Sequence, residues 1–365
     1  MVSLKDRKWK GFDFVELFDI QKGFYNKKPT ANDKGNIPFL GATESNNGIT
    51  SFHTMDDIKQ SSKMGHDKNV RVDKKIFTGN CIAVTNDGSV GHAFYQKVPF
   101  TCSHSINPLY LKIHKLNEKI ALFLIRMIEM QGICFQYSRK WRPERMKKSK
   151  ILLPIDNEGE PDWLFMENYI KQLESNQKET YKDFATKKLQ DLEYKEIPTL
   201  KEKTWKAFRI SKLFEIENCK CSNISSLKNG DVPYIGATNR NNGILKFVEN
   251  RQDLLTKGRC IVFICDGEGS IGYSTYQDAD FIGSTTLKVG RNSNMNKYHI
   301  MFISTISDKV RTKYNFGYKR TTAHLKNEMI LLPLGSDNTP DYDYMEQYIK
   351  NVMYKQLTSY LEICK

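Results

Sequence analysis

The stretch Phe39–Ile49, FLGATESNNGI, returns 195 positions later as Tyr234–Ile244, YIGATNRNNGI. A segment so rich in Asn and Gly builds a turn rather than a helix. Two near-copies of it in one chain raise the question of how far the repetition extends. Trp9, Phe12, Leu17, Phe18 and Ile20 recur as Trp205, Phe208, Leu213, Phe214 and Ile216. GNCIAV (79–84) recurs as GRCIVF (258–263), DGSVG (87–91) as DGEGSIG (266–272), and FTCS (100–103) as FIGS (281–284). ILLP appears at 151–154 and again at 330–333, followed by PDW and PDY, then by MENYI (166–170) and MEQYI (345–349). The period is far too long for a solenoid, so the chain holds two homologous domains.

Each half follows one plan, and the fold class is α+β. A strand-rich region punctuated by Gly, Asn and Asp comes first, then a helical segment such as NEKIALFLIRMIEM (117–130), a basic stretch and a short ILLP strand. A long helix closes each half. Met166, Ile170, Leu173, Gln177, Thr180 and Phe184 step by 4 and 3, as do Met345, Ile349, Val352, Gln356 and Ser359. That spacing predicts a coiled-coil seam rather than a helix lying on a large core, with Gln177 and Gln356 at equivalent places. From Trp163 to Leu192 the first helix would extend about 45 Å. The expected boundaries are a strand-rich domain at 1–160, a helix at 161–196, a second such domain at 197–339 and a helix at 340–365.

Of the 365 residues 39% are apolar, enough for globular cores, and the net charge of +14 favours a polyanionic partner. The N-terminal MVSLKDRKWKGF has no apolar run, and the most apolar stretch, Ile120 to Ile125, is too short to span a bilayer. The eight cysteines sit mostly in strand-like runs without a paired metal-binding spacing, which fits a reducing, cytoplasmic setting and no metal or cofactor.

Three catalytic-looking motifs do not hold up. Gly267-x-Gly269-x-x-Gly272 matches a dinucleotide fingerprint, but SIGYSTYQ after it alternates like a strand where that site needs a helix. Asn107-Pro108-Leu109-Tyr110 lacks the second proline of an amino-methyltransferase motif and has no counterpart in the second half. Pro161-Asp162 with Glu193-Tyr194-Lys195 imitates a nuclease, yet a long helix separates the carboxylates too widely to share a magnesium ion. No catalytic or metal-binding constellation is expected.

The most basic clusters precede each ILLP. In the first half these are Arg139, Lys140, Trp141, Arg142 and Arg145; in the second, Tyr318, Lys319, Arg320, Thr321, Thr322 and His324. Arg and Lys among aromatic and hydroxyl residues suit phosphate clamping with some base-edge contact. The loops after the first strands diverge in the same manner: Lys22, Tyr25, Lys27 and Lys28 against Lys220, Ser222 and Asn223. Ser45 and Arg240 flank the Asn-Asn-Gly turns, themselves read as structural, and Ser284, Thr285, His92 and His104 complete the candidate DNA-binding set. A common framework with divergent polar tips is what two readers of different sequences would show.

The ordered motifs W…F…LF-I, G-x-IPF-L-G-A-T…NNGI, DGSVG and GSIG, and ILLP…PD…ME-x-YI together resemble the specificity (S) subunit of type I restriction-modification systems over essentially the full chain. Type IIB systems use similar subunits, and the sequence is compatible with either. The resemblance implies two target-recognition domains joined by long helices that pack as an antiparallel coiled coil with pseudo-twofold symmetry. Each domain would read half of a bipartite, asymmetric site in double-stranded DNA. It also implies that adenine methylation and cleavage reside in partner subunits, the adenine-specific methyltransferase (M) and restriction/translocase (R) subunits, with no membrane involved.

Overall fold

A computed structural model describes residues 2–30, 34–64, 71–135, 137–267, 269–315 and 317–364. Glu268 of the second glycine turn and Lys365 at the end of the second helix lie outside the described residues. The chain divides into two compact units, Met1–Thr180 and Tyr181–Lys365.

The first unit is built on three small sheets. Lys8–Asp13 pairs antiparallel with Lys150–Ile155, placing Phe12 opposite Ile151. Phe18–Ile20, Ile106–Leu111, Cys81–Thr85 and Ala93–Gln96 form a four-stranded antiparallel sheet in that order. Ile37–Leu40 lies between Ile49–His53, antiparallel, and Thr101–Cys102, parallel. The central strand CIAVT is buried along its whole length, as a run of apolar residues without alternation requires. The helix Glu118–Gly132 covers the sheet; Asn117 caps it by accepting from the Ile120 N–H, and Ile120, Phe123, Leu124 and Ile128 face the core. The PDW segment starts the first long helix, Trp163–Gln190, where Asp162 Oδ1 accepts from the Phe165 N–H at 2.9 Å.

The second unit repeats this plan. Trp205–Arg209 pairs with Met329–Pro333 with Phe208 opposite Ile330. The four-stranded sheet runs Glu215–Asn218, Leu287–Arg291, Cys260–Ile264, Ser274–Gln277. Even the indoles behave alike: Trp9 Nε1 donates to Leu4 O and Trp205 Nε1 to Leu200 O, and the two rings stack on Phe123 and Phe302, each at 6.3 Å. The fingerprint-like glycines 267–272 join two antiparallel strands, Cys260–Ile264 and Ser274–Gln277, so they form a hairpin turn and open no helix. Gly272 has φ +95°, and a Cβ there would lie 2.6 Å from Arg311 Cα. Its counterpart Gly91 has φ +91°, and a Cβ there would lie 2.9 Å from Gly132 Cα.

The Asn-Asn-Gly turns place three successive residues in the left-handed region: Asn46, Asn47 and Gly48, and Asn241, Asn242 and Gly243. Asn and Gly tolerate that region best. A buried glutamine holds each turn, Gln96 Nε2 donating to Asn47 O at 2.9 Å and Gln277 Nε2 to Asn242 O at 2.7 Å.

The helices differ from the expected seam. Their first turns do lie on the cores of their own units, through Met166 and Ile170 and through Met345 and Ile349. Beyond that, Leu173 and Phe184 are exposed, as are Gln177, Val352, Gln356 and Ser359. Within the second unit the helix end from Tyr181 packs on the second long helix, Tyr342–Ile363, through a face one residue over. Ala185, Leu189 and Leu192 meet Met353, Leu357 and Leu361. Tyr181 packs against Tyr360 and Tyr194 against Tyr354, so the two segments run antiparallel. The 4-and-3 spacing of the sequence is satisfied equally by either face, and burial selects the one with Leu357 rather than Gln356. Leu357→Ala is therefore expected to cost about 2–4 kcal/mol and Val352→Ala less than about 1 kcal/mol, read from urea unfolding midpoints; equal effects would favour the seam through Val352 instead.

Candidate nucleic-acid interface

At one end of each four-stranded sheet, hydrogen bonds bring loops of distant sequence together. In the first unit Gly23 N donates to Ile106 O at 3.0 Å, Tyr25 N to Cys102 O at 3.0 Å, and His104 N to Tyr25 O at 2.7 Å. This lays Lys22, Lys27 and Lys28, all exposed, along the loop that carries exposed His104. In the second unit Cys221 N donates to Gly283 O and Thr285 N to Cys221 O, each at 3.0 Å. Lys220, Ser222 and Asn223 thereby join Ser284 and Thr285.

The basic loops attach to the same sheet end through the Asp-Gly turns. Lys140 Nζ lies 2.6 Å from Asp87 and Lys319 Nζ 2.7 Å from Asp266, the same ion pair in each unit. These two lysines thus tie the loop to the turn as well as supplying charge. Burial works to raise the Asp87 carboxyl, but Lys140 and the Gly88 N–H more than offset it and hold it below its ordinary value.

Three candidates do not reach the surface. Tyr25, Trp141 and Arg320 are fully buried, and their expected DNA contacts are corrected to core roles. Tyr25 bonds Ser61 Oγ at 2.6 Å. Trp141 stacks on Phe135, meets Phe14 edge-on and donates from Nε1 to Ser149 Oγ at 3.0 Å. Arg320 occupies the matching place in the second unit and does something chemically different. Its guanidinium makes a bidentate pair with buried Glu328, bonds Ser307 Oγ at 2.8 Å and Gly272 O at 3.2 Å, and covers the Phe263 ring at 4.9 Å. Ser149 and Glu328 are themselves matching positions, so a Trp–Ser pair in one unit is replaced by an Arg–Glu pair in the other. Arg320 reads as a free cation in the sequence because a buried partner eight residues on leaves no local sign.

The remaining candidates are distributed as follows. Arg139 is exposed over the Phe135 ring, and Arg145 donates to Lys140 O. Thr321 caps Thr322–Asn327 by accepting from the His324 N–H, which fixes half-buried Thr322 at the first turn. Exposed Tyr318 stacks between Tyr314 and His324, centroids 5.9 and 4.6 Å away. Ser45 and Arg240 flank their left-handed turns, and half-exposed His92 stands 3.8 Å from Glu44.

In the first unit several of these side chains converge on a cleft of about 320 Å³ lined by Lys22, Lys63, His104, Arg142, Asn86 and Asn107. Lys63, Asn86 and Asn107 were not among the expected residues. Asn107 belonged to the motif set aside as a methyltransferase decoy; its amide instead donates to Gln21 O at 2.7 Å. Adjacency to the Asp-Gly turn was the available signal for Asn86.

Two copies of one scaffold, each gathering divergent polar loops at the same sheet end, define a duplicated recognition protein. The sequence pattern of the type I restriction modification DNA specificity domain matches residues 6–182 and again 202–362, and the chain belongs to that family. It is a specificity subunit of a restriction-modification system. The chain is 29% identical, over 94% of both sequences, to the specificity subunit S.BcgI of a type II restriction enzyme from Heyndrickxia coagulans. Among solved structures, the S subunit of a type I restriction-modification system from M. genitalium is 17% identical with a TM-score of 0.49, over 99% of this chain and 93% of that one. The HsdS subunit from Thermoanaerobacter tengcongensis is 10% identical with a TM-score of 0.31, over 97% of this chain and 91% of that one.

Arg320→Ala leaves Glu328 charged in the core and is expected to destabilise the second unit by about 3–5 kcal/mol. The exchange Arg320→Trp with Glu328→Ser, which installs the first unit's pair, should cost less than either single change in thermal unfolding. Additive losses would show that the two positions do not act as a pair.

Proposed function

We propose that each unit reads one half of a bipartite, asymmetric double-stranded DNA site through the loops at its sheet end. The observation that carries this reading is the contrast between frameworks that share one topology and its turns and exposed loops that diverge. The first unit presents Lys22, Lys27, Lys28, Arg139, Arg142 and Arg145, a surface that neutralises phosphates. The second presents Lys220, Ser222, Asn223, Arg240, Thr285 and Tyr318, poorer in charge and richer in hydroxyl and amide groups. The proposed recognition domains span 1–160 and 197–339, with the segments that carry the helices Trp163–Gln190 and Tyr342–Ile363 as their connecting framework.

On this reading the chain itself is non-catalytic and acts in the cytoplasm. It docks adenine-specific methyltransferase (M) subunits and restriction/translocase (R) subunits, which carry out the chemistry at the site it selects. Among the described residues no helix is long and apolar enough to cross a membrane, and a net charge of +14 suits a polyanionic partner.

Two experiments test this. Replacing residues 205–333 with the corresponding segment of another specificity subunit should change one half of the methylated motif and leave the other intact; a folded chimera that changes both halves would refute the two-reader assignment. Lys22→Ala with Arg142→Ala should weaken binding of every sequence and reduce the slope of log K against log salt by about one for each phosphate no longer neutralised. An unchanged slope would remove these loops from the interface.

A further inference from the structure

In the cleft of the first unit a fixed amide oxygen, Asn86 Oδ1, has no protein donor among the described residues. Asn86 is 4% exposed and Asn107 1%. Asn107 Nδ2 donates to the backbone carbonyl of Gln21, and its Oδ1 accepts from Asn86 Nδ2 at 2.5 Å. Asn86 Nδ2 also donates to the carbonyl of His104 at 3.0 Å. Backbone carbonyls only accept, so both amide orientations are fixed and both Asn86 N–H groups are used. Among the described residues none donates to Asn86 Oδ1. Two carboxylates line the same cleft, but Asp87 is taken by Lys140 and Glu144 by Lys22 at 3.4 Å. Asn86 Oδ1 is thus a fixed, neutral acceptor in a cleft bordered by cations.

An acceptor fixed in direction and open to the cleft gains a hydrogen bond from a ligand that donates to it, without reorganisation of the protein. In the major groove only adenine, through N6, and cytosine, through N4, present a donor; guanine O6 and thymine O4 present acceptors that would face Oδ1 unpaired. We propose that Asn86 is a specificity-determining residue of the first unit, its Oδ1 accepting from the exocyclic amino group of adenine or cytosine. Lys22, Lys63 and Arg142 hold the neighbouring phosphates. The second unit has no equivalent reader here, because Cys265 stands at the matching place and its thiol offers no fixed amide oxygen.

This inference rests on the DNA-recognition reading, and its test separates the two. The full-length chain first selects its site from a random duplex library. Each adenine of the first half-site is then replaced by purine and each cytosine by pyrimidin-2-one, which deletes the amino group and leaves the protein untouched. One position is expected to lose about tenfold in affinity, and its identity tells adenine from cytosine. In Asn86→Ala the same analogue should cost nothing further, because the partner is already gone. A purely structural role for Asn86 would lower affinity generally and leave the analogue penalty intact, which overturns the proposal. Should the variant not fold, the scan on the native protein decides, since no sensitive adenine or cytosine in the first half-site also overturns it. Failure to select any sequence would refute the DNA-recognition reading as well.

Discussion

A basic, solvated loop cannot fix its own position, so each unit drives one large side chain of that loop into the core. The place of the basic loop at the sheet end depends on that attachment. In the first unit Trp141 is clamped between aromatic rings with its indole N–H satisfied by Ser149. In the second, Arg320 is equally buried but must bring Glu328 with it, since an unpaired guanidinium could not be desolvated. Both solutions set the preceding lysine beside the aspartate of the Asp-Gly turn. One geometry is thus reached by apolar packing in one copy and by a buried ion pair in the other.

The second constraint is backbone strain. Three consecutive left-handed residues persist only where the surroundings over-determine them, and the buried Gln96 and Gln277 supply that. Because the turn is fixed from behind, the residues before it, Glu44-Ser45 and Asn239-Arg240, vary freely without disturbing the fold. Rigid framework and free tips are what a scaffold needs if it is to change target without changing shape.

Duplication then allows the two surfaces to diverge. The first unit joins its cations to a polar cleft backed by an amide pair, whereas the second offers exposed Tyr318 stacked between half-buried Tyr314 and His324. Cations without a base-reading partner hold any duplex alike, and specificity requires fixed donors and acceptors behind them. Local geometry of that kind distinguishes the units more than their shared topology does.

The duplication, the α+β plan of each half, the hairpin nature of the glycine turns and the helical ends can be read from the chain alone, because these follow from periodicity and from the conformational demands of Gly, Asn and Pro. The basic loops, too, were legible as segments at matching places. Packing sets which of their residues face outward. Trp141 and Arg320 read as surface groups in a basic run, yet their burial depends on Phe135, Phe14, Glu328 and Ser307, whose proximity is created by packing. The helix seam was ambiguous for the same reason: a 4-and-3 spacing fits adjacent faces equally, and the neighbour across the interface selects between Gln356 and Leu357. Asn86 and Asn107, far apart along the chain, became one polar pair when their strands joined, and no pattern in a linear sequence records the direction in which an amide is left to point.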